Sequence, residues 1–179
     1  MISKEMERNI KENGGIREAF NEARRQKTLY GEENVFDLSI GNPSAPAPRK
    51  VVDVIKKLSE NVNLDHQYMC ESGYEEVRSK IAGWMNQKYK TSYGINNIIM
   101  TNGVAGGLNM VLRALLNPGD EVLVFRPYYP AYIGFAENWN GKIIEVDPGE
   151  DFQPDFEDLE GKITKRTKVV IVNSPHNPT

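Results

Sequence analysis

Between residues 98 and 125 the chain reads IIMTNGVAGGLNMVLRALLNPGDEVLVF. The apolar run Ile98 to Thr101 predicts a strand, Gly106 to Leu116 a helix and Glu121 to Phe125 a second strand. Asn117-Pro118-Gly119-Asp120 breaks the chain before that second strand. Strand, helix, strand is the pattern of a parallel α/β sheet, because parallel neighbours need a crossover. The rhythm continues with a helix from Tyr129 to Asn138, a strand from Lys142 to Val146, a short helix near Asp155 to Glu160, and a strand from Lys168 to Asn173. Four strands joined by helical crossovers are therefore expected.

Upstream, Ile16, Phe20 and Ala23 recur at helical spacing from Gly15 to about Lys27, and Val35 to Ile40 reads as extended. The segment Gly41 to Pro48 carries three prolines, each fixing φ and removing a donor, so it is a loop leading into a helix from about Arg49 to Ser59. Ser72 followed by Glu75 fits a capping box, after which Tyr74, Val77, Ile81, Trp84 and Met85 fall on one face of a helix ending near Lys90.

A hydrophobic content of 39% and a charged content of 26% are those of a globular chain able to bury a core. The 22 basic and 25 acidic residues are scattered and sum to −3, which argues against a nucleic-acid partner. The polar start, Met1 to Asn13, lacks the apolar core of a signal peptide, and no apolar run is long enough to span a bilayer, so a cytoplasmic location is expected. Cys70 is alone, and His66 and His176 stand in segments without ligand spacing, so no metal site is expected.

Three segments could carry chemistry. Thr101 to Leu108 lies where a strand hands over to a helix, so free N–H groups and the positive end of the helix dipole meet among small residues and suit a phosphate. The same glycines could simply permit a tight turn, and the pattern is neither Gly-x-Gly-x-x-Gly nor a P-loop. Arg126-Pro127-Tyr128-Tyr129-Pro130-Ala131-Tyr132 follows the strand ending at Phe125, where ligands of open α/β sheets collect, so Tyr129 or Tyr132 could lie flat on a heterocycle or could pack on neighbouring helices. In Asn173-Ser174-Pro175-His176-Asn177-Pro178-Thr179 the prolines force a turning backbone that can present the Asn177 amide as a donor, or form only a polar loop. His176 reads more readily as a surface or packing residue than as a base.

In this order and at these distances the segments resemble class I aminotransferases (the class I/II group) of fold type I, over essentially the whole chain. The family's substrate loop looks like Leu38-Ser39-Ile40-Gly41-Asn42-Pro43, its next motif like Tyr68 with Gly73 five residues on, and its phosphate turn like Thr101 to Leu108. Pro118-Gly119-Asp120-Glu121-Val122 and Asn177-Pro178-Thr179 complete the likeness. The resemblance implies a three-layer sandwich around a mostly parallel sheet. Residues 1–48 would form an N-terminal arm and small-domain segment including the substrate loop, and 49–179 the first part of a large domain binding pyridoxal 5′-phosphate.

Carried over residue by residue, Gly103, Val104 and Ala105 would offer backbone N–H groups to the cofactor phosphate, Tyr129 would stack on the pyridine ring and Asn177 would bond its phenolic oxygen. Ile40 and Gly41 would lie against the substrate carboxylate, and Tyr68 would reach the phosphate held by the partner subunit of a homodimer. Ala105 stands where the family often has a hydroxyl or amide side chain, which removes one phosphate contact. The implied activity moves an amino group between an amino acid and a 2-oxo acid. The aldimine lysine and the family's arginines follow the Asn-Pro-Thr motif, so no catalytic residue is expected among these 179 residues, and this polypeptide alone is expected to be marginally stable and inactive. A carbon–sulfur lyase or decarboxylase of the same fold shares every motif, and a non-catalytic regulator binding the same cofactor is the alternative outside enzymes.

Overall fold

The computed structural model describes residues 2–41, 43–62 and 68–179; His66 and Asn42 lie outside them. The chain divides into two compact units, Met1–Gln67 and Tyr68–Thr179.

In the first unit, α1 (Lys4–Asn13) opens on Ser3, whose hydroxyl accepts the Met6 N–H at 3.1 Å. The helix is not legible in the sequence, where charged residues hide its apolar period. Next, α2 (Gly15–Tyr30) extends three residues beyond the expected end and stops at Gly31, which takes a φ of 90° while its N–H closes on the Lys27 carbonyl. That backbone is one glycine adopts without steric penalty. The Val35–Ile40 segment joins no sheet; Asp37 instead folds it locally, its carboxylate accepting both the Ser39 N–H (3.0 Å) and the Ser39 hydroxyl (2.6 Å). Helix α3 (Arg49–Ser59) starts after Pro48, as the proline loop predicts.

In the second unit, α4 (Glu75–Tyr89) ends on Lys90 in the left-handed region, but two features of its expected form are corrected. The capping box does not form: Tyr74 occupies the N-cap position without a side-chain cap, and the Ser72 carbonyl accepts the Met100 N–H at 3.0 Å. The covered face is Arg78, Ile81, Ala82 and Met85, leaving Tyr74, Val77 and Trp84 exposed. Arg78 rotates that face toward the 95–98 segment by donating to the carbonyls of Ile95 (3.1 Å) and Ile98 (3.4 Å). Gly73 is required beside it, since a Cβ there would stand 2.5 Å from Met100 Cγ.

Strands β1 (Glu121–Phe125), β2 (Lys142–Val146) and β3 (Thr167–Ile171) form a wholly parallel sheet in the order β2-β1-β3. Ile98–Thr101 is not a fourth strand; it has no ladder partner among the described residues, and an extended segment becomes a strand only by pairing. Helix α5 (Gly103–Leu115) leads into β1, and the two crossovers are α6 (Ala131–Glu137), between β1 and β2, and α7 (Phe156–Lys162), between β2 and β3. Asp155 starts α7, its carboxylate accepting the N–H groups of Glu157 and Asp158.

Central β1 is apolar throughout Val122 to Phe125 because both of its faces are covered, as parallel strands require. Val122 and Val124 pack with Leu112 and Leu116 from the α5 end and Tyr132 and Ala136 of α6. Gly141 lets β2 approach this core, a Cβ there falling 2.8 Å from Leu116 Cδ1. The α/β class with a parallel sheet is thus as the sequence predicts, and its packed centre holds the carboxyl ends of β1 and β3 side by side.

Candidate functional site

Three chain segments leave those carboxyl ends or open onto them, and together they line one cavity of about 290 Å³. Its walls include Val104, Ala105 and Leu108 of α5, Tyr129 and Phe135, and Asn173 and Asn177 beyond β3. Val104, Ala105, Tyr129 and Asn177, four of the residues singled out from sequence, therefore face the same space although 73 positions separate the first from the last (177 − 104).

The amino end of α5 supplies the donors. Gly103 takes a φ of 71°, and its N–H donates to the Thr101 carbonyl at 2.9 Å while the Thr101 hydroxyl donates to the Gly103 carbonyl at 2.9 Å. Thr101 thus clamps Gly103 from both sides. The Gly103 N–H is consequently engaged, and Val104 and Ala105 are the amides that open the helix. First-turn amides have no acceptor inside a helix, and Asn102 provides no side-chain cap. With the helix dipole behind them, such amides have the chemistry that suits an anion. Gly107 stays small for the same reason that the clamp works, since its Cβ would lie 3.1 Å from Thr101 Oγ1.

Tyr129 and Tyr132, equivalent candidates in the sequence, are separated by the structure. Tyr132 is 8% exposed within the core, whereas Tyr129 is 45% exposed and presents its ring. Their rings meet edge-on at 5.7 Å and 90°. Burial, with Tyr129 alongside, pushes the Tyr132 hydroxyl up from its ordinary value, so it stays a neutral wall.

His176 does not join Asn177. It lines a second cavity of about 350 Å³ with Phe125, Tyr128 and Phe152, and its Nδ1 pairs with the Thr179 hydroxyl at 2.6 Å. Tyr68 is fully exposed, and Ile40 and Gly41 belong to the first unit, at the bend after Asp37. Phe135 was not foreseen as a wall; its only sequence signal is its place one helical turn beyond Tyr132.

A helix start with first-turn amides, an exposed aromatic ring and a side-chain amide are thus gathered at the carboxyl edge of a parallel sheet in an α/β protein, a set of groups whose chemistry suits a phosphorylated aromatic ligand. Comparison with known proteins agrees. The profile of the family "Aminotransferase class I and II" matches residues 33–179. The chain is 32% identical over 160 residues to an aspartate aminotransferase of Thermotoga maritima, covering 88% of this chain and 42% of that protein. It is 31% identical over 159 residues to an LL-diaminopimelate aminotransferase of Aquifex aeolicus, with coverages of 87% and 41%. Among solved structures, an amino transferase from Eubacterium rectale superposes with a TM-score of 0.90 at 37% identity, covering all of this chain and 46% of that one. The chain belongs to the class I and II aminotransferases, a family dependent on pyridoxal 5′-phosphate. It spans about two fifths of the length of the curated relatives it matches.

The residues present fit that cofactor by their chemistry. Backbone amides at a helix start suit its phosphate, an uncovered tyrosine ring suits its aromatic ring, and an amide N–H suits a phenolic oxygen.

Proposed function

We propose that the whole protein is a pyridoxal-phosphate-dependent aminotransferase moving an amino group between an amino acid and a 2-oxo acid. The observation that carries this reading is the convergence of Val104, Ala105, Tyr129 and Asn177 on one cavity. When bound, the cofactor supplies an electron sink for the substrate's α-carbon. The Val104 and Ala105 amides would hold its phosphate, with Gly103 contributing the turn. Tyr129 would bear on one ring face and the Asn177 amide would donate to the phenolic oxygen. Leu108 and Phe135 give the cavity an apolar wall, which would strengthen the charge-assisted bonds beside it once the cofactor covers the site.

Binding and orientation are the roles this reading gives to the residues that line the cavity. Aminotransferase names on the relatives favour transamination over the lyase, decarboxylase and regulator alternatives. The proposal extends to Ile40 and Gly41 at the substrate carboxylate, to a homodimer in which Tyr68 reaches the partner's phosphate, and to a cytoplasmic location. It also includes the division into a 1–48 small-domain segment and a 49–179 large-domain part. These elements rest on the family resemblance.

The test is an assay of the full-length protein with pyridoxal 5′-phosphate and paired amino and 2-oxo acids. Oxo-acid-dependent exchange of the amino group is expected. Release of pyruvate and ammonia from a thioether amino acid without an acceptor would overturn transamination, and absence of cofactor binding would overturn the whole reading.

A further inference from the structure

Tyr129 sits on a short connection between β1 and α6, and an exposed ring on a loop can stack only if something fixes the loop. Two neighbours of Tyr129 are tied to the same carboxylate. The Tyr128 hydroxyl donates to Glu145 Oε1 at 2.6 Å, and Arg126 Nε stands 3.5 Å from Glu145 Oε2. Arg126 also donates to Asp147 at 3.0 Å, and its backbone N–H reaches the Val146 carbonyl at 2.9 Å. Glu145 itself is held on β2, paired in register with Val124 of central β1.

Aromatic contacts carry the constraint onward. The Tyr128 ring stacks on Tyr132 (6.3 Å, 14°), and Tyr132 meets Tyr129 edge-on. Tyr132 lines both cavities, so a displacement of Tyr128 is felt at the wall against which Tyr129 rests. Burial, and then the bond to Glu145, push the Tyr128 hydroxyl well above the ordinary tyrosine value, so it remains a donor across the working pH range.

We propose that Glu145, acting through Tyr128 and Arg126, is a positioning residue for the Tyr129 ring, and so tunes cofactor stacking; the cofactor part of this inference rests on the function proposed above. Glu145 is half exposed, and an exposed ion pair with Arg126 alone would contribute little. The Tyr128 bond is the effective link, because it fixes a partly buried ring packed on a core tyrosine.

The experiment uses the full-length protein with 3-fluorotyrosine placed at Tyr129, in wild type, Tyr128→Phe, Glu145→Ala and Glu145→Gln. Without cofactor, the fluorine resonance at Tyr129 is expected to shift in Tyr128→Phe and Glu145→Ala and to return toward wild type in Glu145→Gln, whose amide oxygen still accepts from Tyr128. With pyridoxal 5′-phosphate added, affinity in the first two should fall roughly three- to tenfold, the effect of one lost hydrogen bond, together with the visible circular dichroism of the bound cofactor. The double variant should equal either single one, since both remove the same link. An unmoved resonance overturns the positioning role, even if thermal stability falls. A moved resonance with unchanged affinity and dichroism overturns its effect on stacking. A wild-type protein that binds no cofactor overturns the proposed function instead, and leaves the cofactor-free result to decide the positioning role.

Discussion

Replacing Gly103 by alanine separates the backbone argument for the phosphate site from mere spacing. A Cβ at Gly103 would meet no atom within 4 Å, so the substitution introduces no clash; its whole cost lies in the φ of 71°. Holding an L-residue in that region costs about 1–2 kcal/mol. Restricting the unfolded chain returns about 0.4–1 kcal/mol, leaving a net loss of about 1 kcal/mol. Gly106→Ala is the internal control, because it lies inside α5 at an ordinary φ with only Asn102 Cβ 3.7 Å away, and there alanine should stabilise by up to about 1 kcal/mol. If the turn relaxes to relieve Gly103→Ala, the Val104 and Ala105 amides rotate off the anion. Losing one charge-assisted bond at about 1.5–3 kcal/mol weakens phosphate binding roughly ten- to hundredfold. Urea titration and calorimetry with inorganic phosphate on the full-length protein measure both quantities. Equal stability of the two variants, together with unchanged phosphate affinity in Gly103→Ala, would refute the claim that this turn shapes the site.

Three further outcomes follow from the same geometry. Leu112→Ala empties a site in the centre of the sheet–helix core, where the side chain is 1% exposed, and should cost about 2–5 kcal/mol in denaturant unfolding. Tyr129→Phe keeps the ring and should hold cofactor affinity within about twofold, whereas Tyr129→Ala should weaken it roughly fivefold or more in a fluorescence titration. The Glu121 carboxyl is held below its ordinary value of 4.5, chiefly by the Thr164 hydroxyl at 2.6 Å and then by Arg166. A depressed carboxyl stabilises above its unfolded value and loses that contribution as pH falls through the folded one. Glu121→Gln should therefore flatten the decline of melting temperature below pH 4.5, and an acid limb as steep as wild type would contradict this.

Much of the second unit is legible in the chain itself. The apolar runs at Glu121–Phe125 and Lys142–Val146 form strands with the bounds their pattern predicts, and Asn117 to Asp120 breaks the chain where proline and glycine require it. The site motifs are legible for a related reason: positive φ, a helix start and a prolyl turn are local properties carried by a few adjacent residues. Failures occur where the answer depends on distant partners. Ile98–Thr101 has the composition of a strand yet gains no ladder partner among the described residues, and α4 turns its covered face to suit Arg78 and the carbonyls of Ile95 and Ile98.

The sequence by itself determined the α/β alternation, the glycine-rich turn that leads into α5 and the family, because period, turn chemistry and motif order are written along the chain. Tertiary structure alone decided which tyrosine is presented and which is core. It also decided that Glu145 on β2 accepts from Tyr128 in the connection bearing Tyr129. Both depend on atoms brought together from separate elements, the second through the register of β1 and β2, which no local pattern encodes.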